Sequence, residues 1–200
     1  MSELFIRRHG NTFDPGDVVT RVGARTDLAL SASGRAQAEA VAAHFAGRGL
    51  RFQRIFAAPL KRTAMTAGIV RAAIDGPVAE ALDFLTEIDY GPDENQPEEI
   101  VVARIGEAAL AAWEKDAVPP PGWRVDPAAL IAGWRDFFRR CADMEGPILA
   151  VTSNGVARFA LDAADSLAGA FPRKLKTCAW GRVAAGADRK ARIENWNERA

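Results

Sequence analysis

The sequence predicts an α/β protein: a three-layer α/β/α sandwich with a mostly parallel central sheet and a helical insert capping the site. Two observations predict this class. Apolar runs typical of buried strands alternate with segments of helical periodicity, which favours a parallel sheet covered on both faces. The section from about residue 92 to 146 departs from that alternation and is helical in pattern. We expect a single domain over residues 1–200, with the insert at about 92–146.

The first half of the chain is predicted to contain three strands and two helices. The predicted strands are residues 4–8, 52–58 and 78–82, and the predicted helices are residues 33–48 and 60–73. Ser31 is a good N-cap residue for the first helix. Pro59 is expected in the first turn of the second helix, where proline is favoured.

The second half is predicted to start with the helical insert and then to return to strands. In order, the predicted elements are helices at 98–115 and 127–144, a strand at 147–152, a helix at 156–167, and strands at 177–185 and 191–196. The prolines from Pro119 to Pro121 separate the two helices of the insert. The last two strands are expected to form a hairpin around Gly186-Ala187-Asp188.

Composition argues against several classes of partner. Acidic and basic residues balance at 26 each, so nothing favours nucleic acid. No apolar stretch approaches the length needed to cross a bilayer, and the N-terminus lacks the apolar core of a signal peptide. Cys141, Cys178 and the two histidines have no metal-ligand spacing. We therefore expect a cytoplasmic protein with reduced thiols, no membrane association, no metal and no cofactor.

Arg8 and His9 follow the first predicted strand directly, before the break at Gly10. Neutral imidazole can attack phosphorus at physiological pH, and the planar guanidinium fork matches phosphate oxygens. The pair therefore favours a phosphoryl-transfer enzyme in which His9 is the nucleophile. Two solvated charges at a strand end, followed by a turn glycine, would produce the same tripeptide.

Arg62 and Glu87 are the next candidates. Arg62 lies in the first turn of the second predicted helix, where the helix N-terminus favours an anion, and Glu87 lies just past the third predicted strand. Loops at the carboxyl ends of parallel strands open on one edge, so both side chains are expected to meet Arg8 and His9 there. Such a set supplies the positive charge, nucleophile and proton donor that phosphoryl transfer needs. Taken singly, Arg62 also fits a surface arginine and Glu87 a loop carboxylate.

Four stretches of the chain, residues 5–12, 27–38, 58–67 and 87–91, carry a family resemblance in the expected order. In them the chain resembles the histidine phosphatase superfamily, which includes cofactor-dependent phosphoglycerate mutases and small phosphomonoesterases. The strand, loop and helix after residue 146 also match, whereas the helical insert does not obviously do so.

The resemblance implies a role for each matching residue. His9 would accept the phosphoryl group as a phosphohistidine, while Arg8 and Arg62 bind the phosphate oxygens and Asn11 adds neutral hydrogen bonds. Glu87 would protonate the leaving alcohol and then activate the water that hydrolyses the intermediate. The implied activity is hydrolysis of a small-molecule phosphate ester, with positive charge supplied by the arginines.

The turn after the fourth predicted strand departs from the family pattern. The family places a second histidine there, and this chain has Ser153 at that position. The Ser153 hydroxyl and the Asn154 amide can still donate to phosphate, but neutral donors are roughly half as strong as charge-assisted ones. Losing one transition-state donor costs about 10²–10³ in rate in other enzymes. We therefore expect a slow enzyme, or compensation by Arg21 or Arg25.

Three functions stay open at this point. The first is a phosphomonoesterase that works through His9. The second is a phosphate-binding pseudoenzyme without turnover, an alternative that the serine at position 153 keeps open. The third is a phosphoglycerate mutase, which this serine disfavours because a mutase has to retain its phosphohistidine until a second substrate arrives.

Overall fold

A computed structural model describes residues 2–186 and 188–200, and within them it contains one seven-stranded sheet. The strands are β1 (Ser2–Arg8), β2 (Arg54–Ala57), β3 (Glu80–Ala81), β4 (Pro147–Thr152), β5 (Ser166–Leu167), β6 (Trp180–Ala185) and β7 (Ala191–Glu198). The helices are α1 (Ala32–Gly47), α2 (Lys61–Ile74), α3 (Glu98–Asp116), α4 (Pro127–Ala142), α5 (Asn154–Ala157) and α6 (Ala160–Ala163). Short 3₁₀ helices occur at Asp83–Leu85 and Gly91–Asp93.

The sheet has the order β3-β2-β4-β1-β6-β7-β5 and is mostly parallel. β4 lies between β1 and β2 and is parallel to both, and β2 is parallel to β3. β6 is antiparallel to β1 and to β7, and β5 is parallel to β7. Because β1, β2 and β4 run the same way, their carboxyl ends meet at one edge. The predicted α/β class with a mostly parallel sheet is confirmed.

Helices cover both faces of the sheet. On one face, α1 packs on the sheet through Phe45, whose ring meets those of Phe5 and Phe52 edge to face at 5.7 and 5.3 Å. On the other face, α4 places Phe137 edge to face on Phe56 of β2 at 5.3 Å. Each layer of helices therefore buries its own aromatic cluster against the sheet.

Most predicted elements are present with bounds shifted by a few residues. Ser31 caps α1 as predicted, and its Oγ accepts a hydrogen bond from the N–H of Gly34 at 3.1 Å. Pro59 precedes α2 instead of lying in its first turn, because Leu60 keeps an extended backbone and is the N-cap residue. The strand predicted at 78–82 is only Glu80–Ala81, an edge strand that pairs with β2 alone.

The helix predicted at 156–167 is wrong over its last four residues, 164–167. The chain forms α5 and α6 and then pairs Ser166–Leu167 with β7. Asp165 fixes this change of direction, because its N–H donates to the carbonyl of Ala191 at 2.9 Å and its carboxylate accepts from the N–H of Ala191 at 2.8 Å. Hydrogen bonds to the sheet thus replace those of a continuing helix.

Two backbone features alter other predicted elements. Gly106 has a φ of 79°, which divides α3 into two helical segments, and such a φ is easily adopted only by glycine. β6 begins at Trp180 instead of residue 177, after a turn in which Cys178 has a φ of 57°. The predicted hairpin is present, although Ala187 of its turn lies outside the described residues. Among the described residues, no helix is long and apolar enough to cross a membrane.

Candidate active site

A cavity of about 670 Å³ opens where β1 and β4 end. Its wall includes five of the residues predicted from the sequence, and these are Arg8, His9, Asn11, Glu87 and Asn154. We call the part lined by Arg8, His9 and Glu87 the inner cavity. The part lined by Arg21, Glu98, Leu110, Glu114 and Lys174 is the outer cavity.

The backbone of His9 is held on both sides by neighbouring segments. Arg8 pairs with Thr152 in the parallel register of β1 and β4, and the N–H of His9 donates to the carbonyl of Thr152 at 3.1 Å. On the other side, the N–H of Cys178 donates to the carbonyl of His9 at 3.2 Å. His9 thus continues the line of β1 beside Ser153, the residue that follows Thr152.

The imidazole of His9 is neutral and has a defined tautomer. Nδ1 lies 2.7 Å from the carbonyl oxygen of Gly10, so Nδ1 carries the proton and donates it. Nε2 accepts a hydrogen bond from Nε of Arg62 at 3.2 Å and therefore keeps its lone pair. Burial, together with the charges of Arg8 and Arg62, lowers the pKa of His9 well below its usual value. The ring is therefore neutral, and Nε2 is the nitrogen that keeps a lone pair.

Gly10 is required by the close approach of two chain segments behind His9. A Cβ at Gly10 would lie 2.3 Å from the carbonyl oxygen of Gly34 in α1, and a Cβ at Gly34 would lie 2.0 Å from the carbonyl oxygen of Asn11. The loop after β1 therefore packs directly on the first turn of α1. The N–H of Gly10 also donates to Oγ1 of Thr66 in α2 at 3.2 Å. These contacts fix the loop that carries His9.

Arg8 lines the inner cavity with most of its donors unused. One terminal nitrogen donates to the carbonyl of Leu175 at 3.1 Å, and Nε is buried without a partner among the described residues. Burial lowers the pKa of this guanidinium, and the carboxylate of Glu87 opposes the shift. A half-buried cation that lines a cavity and forms one hydrogen bond among the described residues is suited to bind an anion.

Arg62 is fully buried and lies behind His9, outside the residues that line the cavity. Its terminal nitrogens donate to the carbonyls of Thr26 at 2.8 Å and Gly23 at 3.1 Å, while its Nε donates to His9. Burial lowers the pKa of Arg62, and Glu87 is the largest influence in the other direction. The structure thus places Arg62 against Nε2 of His9 and not on the cavity wall.

Glu87 is nearly fully buried and is positioned by two backbone N–H groups. Oε1 accepts from the N–H of Ile88 at 2.9 Å, and Oε2 accepts from the N–H of Gly155 at 3.2 Å. Burial raises the pKa of the Glu87 carboxyl, although these hydrogen bonds and the nearby arginines oppose the rise. A carboxyl with a raised pKa is suited to carry a proton near neutral pH and to release it during a reaction.

Ser153 and Asn154 occupy different positions relative to the cavity. Asn154 lines it, and its Oδ1 accepts from the N–H of Leu175 at 2.9 Å, which leaves its amide N–H groups for a ligand. Ser153 is fully buried and is not one of the lining residues. Its hydroxyl has no hydrogen-bond partner within the part of the chain that the structure describes. Asn11 lines the cavity, and Thr12 follows it there.

The comparison with protein families shows to which family the chain belongs. The sequence profile of the histidine phosphatase superfamily (branch 1) matches residues 4–199. The chain belongs to the histidine phosphatase superfamily. A search of curated proteins gives no significant match.

Solved structures share the fold of this superfamily member over nearly its whole length. The mycobacterial glucosyl-3-phosphoglycerate phosphatase Rv2419c is 20% identical, with a TM-score of 0.80 and 99% of both chains covered. The phosphoserine phosphatase of Entamoeba histolytica, in complex with 3-phosphoglyceric acid, is 16% identical, with a TM-score of 0.75 and 99% of this chain and 98% of that chain covered. A putative alpha-ribazole-5'-P phosphatase from Escherichia coli is 19% identical, with a TM-score of 0.73 and coverage of 100% and 97%.

The outer cavity of this histidine phosphatase contains residues that the sequence did not single out. Glu114 of α3 and Lys174 lie in segments without a motif, and only their contact in three dimensions places both on the wall. Arg21, which was expected as a source of extra positive charge, also lines the cavity. Arg25 is not among the lining residues, because its side chain bonds to Asp89 instead. Across the described residues, no group of three or more His, Cys, Asp and Glu side chains could hold a metal ion.

Proposed function

We propose that this protein hydrolyses phosphomonoesters through a phosphohistidine formed on Nε2 of His9. The observation that carries the proposal is that the pKa values of two groups in one cavity, His9 and Glu87, are shifted in opposite directions. The pKa of His9 is lowered, which favours a neutral ring that can act as a nucleophile, and the pKa of Glu87 is raised, which favours a carboxyl that can donate a proton. Pairs of groups tuned apart in this way are typical of acid–base and nucleophilic catalysis.

In the first step, the lone pair of Nε2 attacks phosphorus and the bond from phosphorus to the ester oxygen breaks. The proton of the Glu87 carboxyl passes to that oxygen, so the alcohol leaves neutral. The carbonyl of Gly10 holds the Nδ1 proton and stabilises the positive charge that develops on the ring. The products are an alcohol, a phosphohistidine and the carboxylate of Glu87.

In the second step, the Glu87 carboxylate accepts a proton from a water molecule while the water oxygen attacks phosphorus. The bond from phosphorus to Nε2 breaks, and its electron pair returns to the ring. Inorganic phosphate leaves, and His9 and Glu87 are again neutral. The same carboxyl thus acts as the acid in one step and the base in the next.

Arg8 and Arg62 bind the phosphate oxygens in this proposal. Arg8 offers free N–H groups at the cavity wall. Arg62 already donates to Nε2, so its Nε–H turns to a phosphate oxygen when phosphorus approaches that nitrogen. Asn11 and Asn154 add neutral hydrogen bonds from the wall. Positive charge placed around the equatorial oxygens is the main requirement of phosphoryl transfer.

The position of Ser153 supports a second candidate, a protein that binds phosphate esters without turnover. In this chain the serine replaces the second histidine that the family resemblance implies, so one charged donor to the phosphoryl group is missing. The terminal nitrogens of Arg62 also donate to the carbonyls of Thr26 and Gly23, so these N–H groups are not directed at a ligand. Phosphate binding by Arg8 survives both differences, whereas stabilisation of the transition state is weakened.

Rapid-quench labelling with p-nitrophenyl [³²P]phosphate tests the proposal. Wild type is expected to give an acid-labile, base-stable phosphoenzyme. Glu87→Gln is expected to accumulate more of it, since this leaving group departs without a proton while the second step lacks its base. His9→Ala is expected to give none. His44→Ala removes the only other histidine and is the matched control, expected to label as wild type does. Ester binding without turnover or labelling would favour the second candidate, and labelling of His9→Ala would refute the phosphohistidine.

A further inference from the structure

We propose that the outer cavity accepts an uncharged, largely apolar leaving group, so that the preferred substrates are monoesters of aryl or alkyl alcohols without a second anionic group. The inference deepens the proposed phosphatase function and rests on it. Three features carry it: the charge balance of the outer cavity, the cation of the inner cavity that forms no ion pair among the described residues, and the apolar side chains on the cavity wall.

The cations of the outer cavity are paired with carboxylates that line the same wall. Arg21 donates to Glu98 at 2.6 Å, and its guanidinium carbon lies 5.2 Å from the ring centroid of Trp123, which holds it in place. Lys174 lies 3.7 Å from Glu114. A second anion on the substrate would therefore meet one carboxylate for each cation and gain little net attraction.

Glu114 is also the carboxylate that faces Arg158. Arg158 is fully buried, lies 3.7 Å from Glu114, and places its guanidinium 4.0 Å from the ring centroid of Trp113. It is not one of the lining residues, and it contacts three residues that are, through the carboxylate of Glu114, the ring of Trp113 and the carbonyl of Asn154. Its charge thus anchors Glu114 at the wall instead of offering a site to a ligand.

The inner cavity differs because its cation is paired less closely, although the nearby Glu87 carboxyl opposes the lowering of the Arg8 pKa by burial. Arg8 bonds only to the carbonyl of Leu175 among the described residues, and no ion pair joins it to a carboxylate there. One dianionic phosphate satisfies this end of the cavity. The contrast between the two ends predicts a substrate with all its negative charge at one end.

The cavity wall also carries apolar side chains. Phe13, Val19 and Val22 of the loop after β1 line it, and so do Leu110 and Trp113 of α3. Val19 is 61% exposed, so an apolar leaving group that covers it removes apolar surface from water. Apolar side chains that line a cavity are typical of a ligand-binding wall.

Two esters that differ only at the far end provide the test: 2-phenylethyl phosphate and 2-carboxyethyl phosphate. Both release a primary alcohol, so their leaving groups differ little in basicity. We expect kcat/KM of wild type to be about tenfold or more higher for the phenyl ester. Equal values, or a preference for the carboxylate, would overturn the inference.

Four variants form two matched pairs around this measurement. Val19→Ser is expected to lower kcat/KM for the phenyl ester about threefold, while Val18→Ser leaves it unchanged, because Val18 is exposed but is not a lining residue. Glu98→Gln frees Arg21 and is expected to raise kcat/KM for the carboxylate ester about threefold. Its control is Glu99→Gln, an exposed neighbour outside the lining. If the two variants of a pair give the same kcat/KM, in either pair, the assignment of the wall residues is refuted.

The proposed function can fail separately. If neither ester turns over and no phosphoenzyme forms, the proposed hydrolysis is refuted. The inference about the cavity wall is then tested by calorimetric titration of the same two esters into wild-type protein. Tighter binding of the phenyl ester supports the apolar wall, and tighter binding of the carboxylate ester overturns it.

Discussion

Gly155→Ala is predicted to displace the proposed acid without disturbing the fold. The N–H of Gly155 donates to Oε2 of Glu87, and a Cβ at Gly155 would lie 2.3 Å from Oε1 and 2.8 Å from Cγ1 of Ile88. Since ordinary van der Waals contact begins at 3.4 Å, the carboxyl has to retreat by about 1 Å. Gly155 lies in α5 with a helical backbone, so alanine is compatible with the local conformation.

The expected kinetic effect follows from this displacement. A misplacement of about 1 Å costs on the order of 10² in rate, and general acid catalysis contributes about 10²–10⁴. We expect kcat/KM for 2-phenylethyl phosphate to fall roughly 100-fold. For p-nitrophenyl phosphate it is expected to fall less than about threefold, because this leaving group needs no proton. The ratio kcat/KM reports the steps up to phosphoenzyme formation and so isolates the acid role of Glu87.

Two variants bracket the measurement. Glu87→Gln is expected to show the same selective loss. Gly68→Ala in α2 is the matched control, since a Cβ at Gly68 meets nothing within 4 Å among the described residues. It is expected to leave both substrates unchanged and to stabilise the fold by about 0.5–1 kcal/mol. An equal loss on both substrates for Gly155→Ala, with a lowered Tm, would refute the reasoning.

Three further predictions concern pH, Ser153 and the insert. For 2-phenylethyl phosphate, kcat/KM is expected to fall at alkaline pH because Glu87, whose pKa is raised, loses the proton that it donates. It is expected to fall at acid pH because His9, whose pKa is lowered, gains a proton and loses its free lone pair. An alkaline fall of equal size for p-nitrophenyl phosphate would contradict the assignment to Glu87. Ser153→Ala is expected to leave kcat within about threefold of wild type and not to lower Tm, since Ser153 does not line the cavity and its buried hydroxyl lacks a partner among the described residues. A tenfold loss of kcat at unchanged Tm would show that this hydroxyl acts on the phosphoryl group. Asp93→Ala is expected to lower the free energy of unfolding by about 3 kcal/mol in urea denaturation, because buried Asp93 accepts from Arg104 and from Nε1 of Trp123. Its control, Asp136→Ala, breaks an exposed pair and is expected to change stability by less than about 0.5 kcal/mol.

The alternation of strands and helices was predictable because each element has a local cause. The apolar run of β4, the Ser31 cap and the aromatic face of α4 all lie within single segments of the sequence. The end of the helix predicted at 156–167 was not predictable in this way. It depends on hydrogen bonds between Asp165 and Ala191, which are distant in the chain.

The residues of the candidate site differ in the same way, because some stand in local motifs and others are brought in only by packing. Arg8, His9 and Glu87 stand in motifs, and the structure places all three on one cavity. The position of Arg62 behind the imidazole depends on the carbonyls of the long loop before α1, which carry no side-chain signal. Glu114 and Lys174 of the outer cavity come together only through packing between α3 and the loop before β6. Their roles therefore had no counterpart in the sequence pattern.

The position of β1 at the centre of the sheet has a consequence for how the chain folds during synthesis. Both neighbours of β1 in the sheet, β4 and β6, follow it by well over half the chain, since Arg8 pairs with Thr152 and Arg7 with Trp180. At ribosomal rates of about 5–20 residues per second, β1 waits on the order of ten seconds for a partner. During that time its apolar edge is open to other chains, so nascent protein depends on chaperones or on fast completion. Stalled translation products carry His9 but have no assembled cavity around it.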